Sequence, residues 1–139
     1  MKKIFYSSIL IMFALFTVST QAQTQPSENT NYVVLTRKVP QLKPILLAAQ
    51  ELAKQDGHHF GDFQVVVCGK AVQNLTNEEM MKDFISQAGQ ANVTINACGF
   101  SLKKFGVDRE KLHQSLNVVE NGILYNFELQ KKGYLSIEL

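Results

Sequence analysis

The sequence predicts an α/β fold in which a mostly parallel, five-stranded sheet is covered by helices on both faces. The first observation is that continuous apolar runs, typical of strands buried on both faces, alternate with segments whose apolar residues recur at three and four. The second is that this alternation persists along the chain, as it does in proteins built around a parallel sheet. The third is length: residues 32–139, about 110 residues, suit one ordinary domain with a sizeable core.

The first half of this domain reads as strand, helix, strand. Residues 32–36, YVVLT, form a short apolar, β-branched run typical of a strand. A helix follows, because Leu42, Ile45, Leu46, Ala49, Leu52 and Ala53 share one helical face. Asp56 and Gly57 end that helix. Residues 63–69, FQVVVCG, then predict a strand buried on both faces.

The second half repeats the pattern. Thr76 and Glu79 have the spacing of a capping box and predict a helix that stops at Gly89. Residues 92–99, NVTINACG, predict the third strand, and a short basic turn or helix follows at 101–105. The remaining elements are a strand at 116–120, a helix at 122–132 ended by Gly133, and a terminal strand at 134–139.

Residues 1–22 have the features of a secretory signal peptide. Two lysines precede a short apolar run, and small and polar residues lead to a junction after Ala22. The apolar run is too short for a comfortable membrane span. Residues 23–31, QTQPSENTN, have little to bury and are expected to form a flexible lead-in. We therefore expect an exported protein, periplasmic in a bacterium with two membranes, with no membrane attachment after cleavage.

The net charge gives no sign of a nucleic-acid partner. The formal charge is +2, and removing residues 1–22 takes away Lys2 and Lys3 and no acid, which leaves a neutral chain. A neutral chain without a Lys/Arg stripe offers no electrostatic footprint for nucleic acid or anionic lipid.

Cys98 is the strongest candidate for a reactive group. It ends the third strand, and ligands of open parallel sheets bind beyond the carboxyl ends of the strands. Gly99 leaves room for an approaching partner. Backbone N–H groups of the next turn and the cations of Lys103 and Lys104 would lower the pKa of the thiol, while Ser101 would cap the turn or donate a hydrogen bond to the sulfur.

Purely structural roles for these cysteines and lysines are the alternative interpretation. A cysteine at a strand end is often a small buried hydrophobe, and lysines often form a solvated face. Cys68 ends the second strand in the same way, with Lys70 as its near cation. With the common strand order 2-1-3-4-5, the two cysteines would be roughly 10 Å apart, beyond the reach of a disulfide. On that order both thiols are expected to be free and distant.

Other site types find little support. His58, His59 and His113 each precede a strand, so they are expected at the edge opposite Cys98, which argues against a Cys-His hydrolase. The adjacent histidines lack further ligands at suitable spacing, so no metal site is predicted. Neither a G-x-G-x-x-G motif nor a P-loop is present, and no cofactor is predicted. Phe84, Phe105 and Phe127 are interpreted as core residues.

Three segments resemble the DsrE/DsrF-like superfamily of sulfur-relay proteins. They are VVVCGKAVQNL, VTINACGFSLKKFGV and VVENGILYNFELQKKGYLSIEL, and the resemblance extends over 32–139. Its most specific part is Cys98 followed eight residues later by Gly106, with basic residues before that glycine. The resemblance implies a flavodoxin-like, three-layer α/β/α sandwich that assembles into trimers or hexamers. It further implies that Cys98 accepts sulfur as a persulfide and hands it on. Phe105 stands where many members have arginine.

The leading hypothesis is therefore a sulfur carrier, or sulfurtransferase-like protein, that uses a Cys98 persulfide. Its partners would be sulfur donor and acceptor proteins or small sulfane-sulfur compounds. Such a carrier needs a nucleophilic thiolate, exposure at an edge, and no second thiol close enough to form a disulfide. Two alternatives stay open: a non-enzymatic oligomeric module that binds a small ligand or a protein, and a thiol redox sensor.

Overall fold

The structure, a computed structural model, describes residues 29–139. The predicted signal peptide and the first part of the lead-in lie outside the described residues. Five strands are present, at Thr30–Thr36 (β1), Phe60–Val67 (β2), Val93–Cys98 (β3), Asn117–Val119 (β4) and Leu135–Glu138 (β5). Four helices span Leu42–Asp56 (α1), Glu78–Gln90 (α2), Gly99–Lys104 (α3) and Gly122–Lys131 (α4). All described strand pairs are parallel, so the predicted α/β class is confirmed.

The strand order is β4-β3-β2-β1-β5. The order 2-1-3-4-5 considered from the sequence is therefore wrong: β2 and β3 are hydrogen-bonded neighbours, and they do not flank β1. The chain adds β2, β3 and β4 successively on one side of β1 and then crosses back to place β5 on the other side. Since parallel crossovers share one hand, the reversal puts α4 on the opposite face of the sheet from the earlier helices.

The two faces of the sheet have different cores. On one face, α1, α2 and α3 cover side chains such as Val65, Val67 and Ile95. On the other face, α4 packs through Leu129 on a smaller cluster made by Val33, Leu35, Val66, Cys68 and Cys98. The molecule is therefore a three-layer α/β/α sandwich, and both cysteines lie beneath α4.

A hydrogen-bonded polar network lies beneath the other end of α4. Asn96 Nδ2 donates to Gln64 Oε1 at 2.8 Å, and Gln64 Nε2 donates to both carboxylate oxygens of Asp62. Tyr125 of α4 and Tyr134, just beyond it, donate to Gln64 and Asp62 respectively. Gln64 and Asn96 are almost fully buried, and these bonds satisfy polar groups that would otherwise be costly to bury.

Several element boundaries differ from the predicted ones. β1 begins at Thr30, because the Asn31 side chain accepts a 2.8 Å hydrogen bond from the Asp62 amide and ties the end of the lead-in to β2. The cap of α2 is Asn77, whose side chain accepts from the Met80 amide, so the capping box predicted at Thr76 is wrong. That helix also continues past Gly89 to Gln90.

Gly106 has a structural reason of its own. It lies at φ +66°, a conformation that favours glycine, directly after α3. Its amide bonds the Lys103 carbonyl, and the Val107 amide bonds the Leu102 carbonyl at 2.9 Å. This pair of bonds is a Schellman motif, which satisfies the last carbonyls of a helix. The glycine therefore ends the short helix that follows Cys98.

Candidate functional site

Cys68 and Cys98 lie side by side at the carboxyl ends of neighbouring strands. The last registered pair of β2 and β3 is Val67 with Ala97, and each cysteine is the next residue of its chain. Neighbouring strands are about 4.8 Å apart, so the two thiols are close enough for each to shift the pKa of the other. The expectation that the thiols are distant is therefore wrong, although both are free in this structure.

The Cys98 sulfur is the acceptor of several hydrogen bonds. The Gly122 amide, at the start of α4, donates to Cys98 Sγ at 3.3 Å. The hydroxyl and the amide of Ser101, in the first turn of α3, and the Cys68 thiol lie near the same sulfur and lower its pKa. The first turns of two helices thus direct N–H groups at one sulfur atom, an arrangement that favours the thiolate.

Ser101 is held in a suitable orientation for its role. It is buried, and its hydroxyl oxygen accepts a 2.9 Å hydrogen bond from the Gly69 amide. With that acceptor position occupied, the hydroxyl proton is available to the Cys98 sulfur. Of the two roles predicted for Ser101, the structure thus shows hydrogen bonding to the sulfur.

The two thiols have opposite pKa shifts. Burial by itself would raise the pKa of Cys98, but the hydrogen bonds from Ser101, Gly122 and Cys68 outweigh burial and lower that pKa below its usual value. For Cys68, burial, the nearby Cys98 charge and donation of its proton to Cys98 raise the pKa to about 12, despite an opposing effect of Arg37. The pair therefore consists of one thiol that ionises readily and one that holds its proton.

Both thiols lie at the bottom of a cleft of about 250 Å³. Cys98 is only 3% exposed, so the prediction of an exposed edge thiol is wrong. The Arg37 and Lys104 side chains line the cleft, together with the exposed ring of Phe100. Cations at the mouth of a buried anionic nucleophile favour small anionic reactants over bulky neutral ones.

Lys103 and Gly99 are not in this cleft. Both border a separate cavity beside Arg109 and Glu120, whose side chains form a 2.9 Å ion pair. A Cβ on Gly99 would come within 2.6 Å of Arg109 Nη2 and 3.1 Å of the Val119 carbonyl oxygen. Gly99 therefore makes room for the chain's own backbone, not for a partner, and of the two predicted lysines only Lys104 faces the thiols.

Two further residues of the site escaped the sequence analysis. Arg37 follows β1 and reaches the cleft while its guanidinium pairs with Glu138 at 2.9 Å. A Cβ on Gly122 would overlap Cys68 Sγ and approach Cys98 Cβ to 3.2 Å. A helix start was recognisable in the sequence from the cap residue Asn121 and the following Gly122. Its contact with the cysteines could not be recognised, because that contact depends on the strand order.

His58 and His59 lie at the edge of the sheet opposite the thiols, as predicted, whereas His113 lies beside the first turn of α2 and not at that edge. His58 and His59 are in a 3₁₀ turn that precedes β2, at the amino end of the sheet. His113 borders a different cavity, beside α2. Within 29–139, there is no group of three His, Cys, Asp or Glu side chains arranged to hold a metal ion. The same residues include no helix with the length and apolarity to cross a membrane.

Comparisons with known proteins give structural neighbours only. No protein-family model and no curated protein matches the chain. A protein of unknown function from Methanobacterium thermoautotrophicum, MTH1491, is similar over 80% of this chain and 100% of its own, with a TM-score of 0.63 and 19% identity. A conserved protein of unknown function from Bacteroides thetaiotaomicron, BT1422, is similar over 78% of this chain and 94% of its own, with a TM-score of 0.61 and 19% identity. The chain is therefore an α/β protein that shares its fold with these two structures.

Proposed function

We propose that the protein is a sulfur carrier with sulfurtransferase-like chemistry, which accepts sulfane sulfur as a persulfide on Cys98 and passes it to a partner. The observation that carries this proposal is the convergence of hydrogen-bond donors from α3 and α4 on the Cys98 sulfur. A buried cysteine that served only as a small hydrophobe would not need these donors. They lower the pKa of Cys98 and so favour the thiolate, which is the nucleophilic form of cysteine.

The reaction is a sulfur transfer between anions. The Cys98 thiolate attacks the outer sulfur of a polysulfide or of thiosulfate; a new S–S bond forms at Sγ, the donor's bond to that sulfur breaks, and the shortened polysulfide or sulfite leaves with the electron pair. Arg37 and Lys104 line the path to the thiol and would attract such donors. The same N–H groups that stabilise the thiolate can stabilise the charge of the persulfide.

Two features of the sequence support the physiological part of the proposal. The resemblance to the DsrE/DsrF-like superfamily places the sulfur-carrying cysteine at Cys98. The signal-peptide pattern of 1–22 favours export, so we propose a periplasmic carrier whose sulfur donor and acceptor are found in that compartment.

The test is mass spectrometry of the Cys98 peptide after exposure to polysulfide without oxygen. In a Cys68→Ser chain, which leaves a single thiol, we expect a gain of one sulfur atom that a reductant removes. In the matched Cys68→Ser/Cys98→Ser chain we expect no gain. No sulfur on Cys98, together with slow alkylation of its thiol, would contradict the carrier and favour the binding module.

We also propose that the carrier is a homo-oligomer in which a second copy covers α4. Ile123, Leu124 and Phe127 are each more than half exposed on the outer surface of this helix, although its inner surface already packs on the sheet. Large apolar side chains on the outer surface of a helix whose inner surface is already buried are typical of a contact surface. A second copy presents the same surface and can pack against it with twofold or cyclic symmetry. This also corrects the interpretation of Phe127 as a core residue.

Replacing Phe127 by glutamate is expected to dissociate this oligomer without unfolding the chain. The substitution places a charge where the proposed contact is apolar, but the side chain is 56% exposed within one chain, so its loss costs the core little. Light scattering at micromolar concentration should show a smaller particle than for the unmodified protein. Gln130→Glu, an exposed change on the same helix, is the matched control. A monomeric unmodified protein would contradict the proposal.

A further inference from the structure

We propose that Cys68 is a resolving thiol: in the absence of an acceptor it attacks the Cys98 persulfide, releases hydrogen sulfide and leaves a Cys68–Cys98 disulfide. This inference rests on the proposed persulfide chemistry of Cys98. It assigns a chemical role to the second thiol, whose closeness to Cys98 departs from the carrier expected from the sequence, and it predicts a second product for the same site.

The placement of the two cysteines satisfies the geometry of a disulfide. Each cysteine directly follows one residue of the last registered pair of the parallel neighbours β2 and β3. The two side chains belong to the same apolar cluster on the same face of the sheet. Strand neighbours are about 4.8 Å apart, within the range of roughly 4.4–6.8 Å that Cα atoms of bridged cysteines occupy. Both cysteines line the same cleft, and a Cβ on Gly122 would contact both of them, so little movement is needed.

The position of α4 keeps the pair together. A Cβ on Gly122 would overlap Cys68 Sγ and would also crowd Val66 Cγ1, at 2.8 Å, and Cys98 Cβ. Glycine at this position therefore lets the helix start directly on both cysteines. Cys68 has no comparable set of hydrogen-bond donors, and its proton is directed at the Cys98 sulfur. Cys68 is therefore placed to donate a proton and to attack the persulfide once it has formed on Cys98. It is not placed to accept sulfur from the donor.

The step balances without an external oxidant. Cys68 Sγ bonds to Cys98 Sγ, the bond from Cys98 Sγ to the outer sulfur breaks, and that sulfur departs with the electron pair and takes up the Cys68 proton. The two cysteine sulfurs are oxidised to the disulfide, and the sulfane sulfur is reduced to sulfide. A reductant or a thiol is then needed to restore the carrier.

The resolving step is tested by loading reduced protein with polysulfide, without oxygen, and removing excess donor. The unmodified chain should then release sulfide in proportion to the persulfide lost, and a non-reducing digest should contain a linked Cys68–Cys98 peptide. Cys68→Ser and Cys68→Ala chains should instead keep the extra sulfur on Cys98 and release little sulfide. We expect the persulfide to last at least about tenfold longer in both variants. The two variants differ in polarity, so a folding defect of one does not remove the test.

The outcomes separate the two proposals. If Cys68→Ser takes up sulfur but the unmodified chain retains its persulfide equally long and forms no linked peptide, the resolving role is wrong and the carrier stands. If neither Cys68 variant nor the unmodified chain takes up sulfur or releases sulfide, both proposals fail together.

Discussion

A Gly122→Ala chain is expected to be less stable than the unmodified protein by about 3 kcal/mol and to lose most of the reactivity of Cys98. The new methyl group would overlap Cys68 Sγ and approach Val66 Cγ1 to 2.8 Å. Overpacking a buried site typically costs about 1–3 kcal/mol. The added methyl group would lie between the strand ends and α4, and neither can move easily because both are closely packed. If α4 shifts to make room, the Gly122 amide also moves away from the sulfur.

Denaturant unfolding and the alkylation rate of Cys98 at pH 7 measure the two effects. Gly89→Ala is the matched control, because Gly89 lies in α2 with no atom within 4 Å of the added Cβ. That change should be neutral or stabilise the chain by about 0.5–1 kcal/mol, since alanine is the better helix former. If Gly122→Ala changes the free energy of unfolding by less than about 0.5 kcal/mol, as ordinary surface changes do, the tight packing described above is wrong.

Ser101→Ala is expected to slow alkylation of Cys98 at pH 7 by about tenfold or more. The change removes a hydroxyl donor to the sulfur, so the pKa of Cys98 rises and less thiolate is present at neutral pH. A hydrogen bond to a charged group is worth about 1.5–3 kcal/mol, and each 1.4 kcal/mol is a factor of ten. The substitution also leaves the partly buried Gly69 amide without its acceptor, so a modest loss of stability accompanies the loss of reactivity.

The measurement is the alkylation rate of the Cys98 peptide from pH 5 to 10 by digestion and mass spectrometry. The midpoint of the profile should lie below that of an ordinary thiol in the unmodified chain and move upward in Ser101→Ala. Cys68 is an internal reference that should react slowly until strongly alkaline pH, because its pKa is raised to about 12. Ser86→Ala, an exposed change on α2, should leave the profile unchanged. An identical profile for Ser101→Ala would show that its hydroxyl does not stabilise the thiolate.

The sequence was sufficient to predict most of the elements and the position of Cys98 at a strand end, because both depend on local patterns. The apolar run before Cys68 and the three-and-four spacing after Leu42 correspond to β2 and α1. The position of Cys98 at a strand end follows in the same way. Its hydrogen bond with Ser101, three residues away, lies within one helical turn.

The strand order could not be predicted because it depends on the side of β1 to which each later strand is added. No local pattern encodes that choice, and two errors followed from it. Cys68 and Cys98 were expected to be distant, and the contribution of α4 to the site was missed. The lowering of the Cys98 pKa was ascribed partly to Lys103 and Lys104, whereas the structure ascribes it to hydrogen bonds, among them one from Gly122.

The polar network beneath α4 determines where this helix sits along its own axis. Apolar contacts alone would allow a helix to shift along its axis, because they have little directional preference. The bonds of Tyr125 to Gln64 and of Tyr134 to Asp62 favour one register, because a displacement by one helical turn, about 5.4 Å, would break both. The first amide of the helix is thereby kept over the Cys98 sulfur. A polar network that contains neither cysteine thus helps to position the Gly122 amide that donates to the Cys98 sulfur.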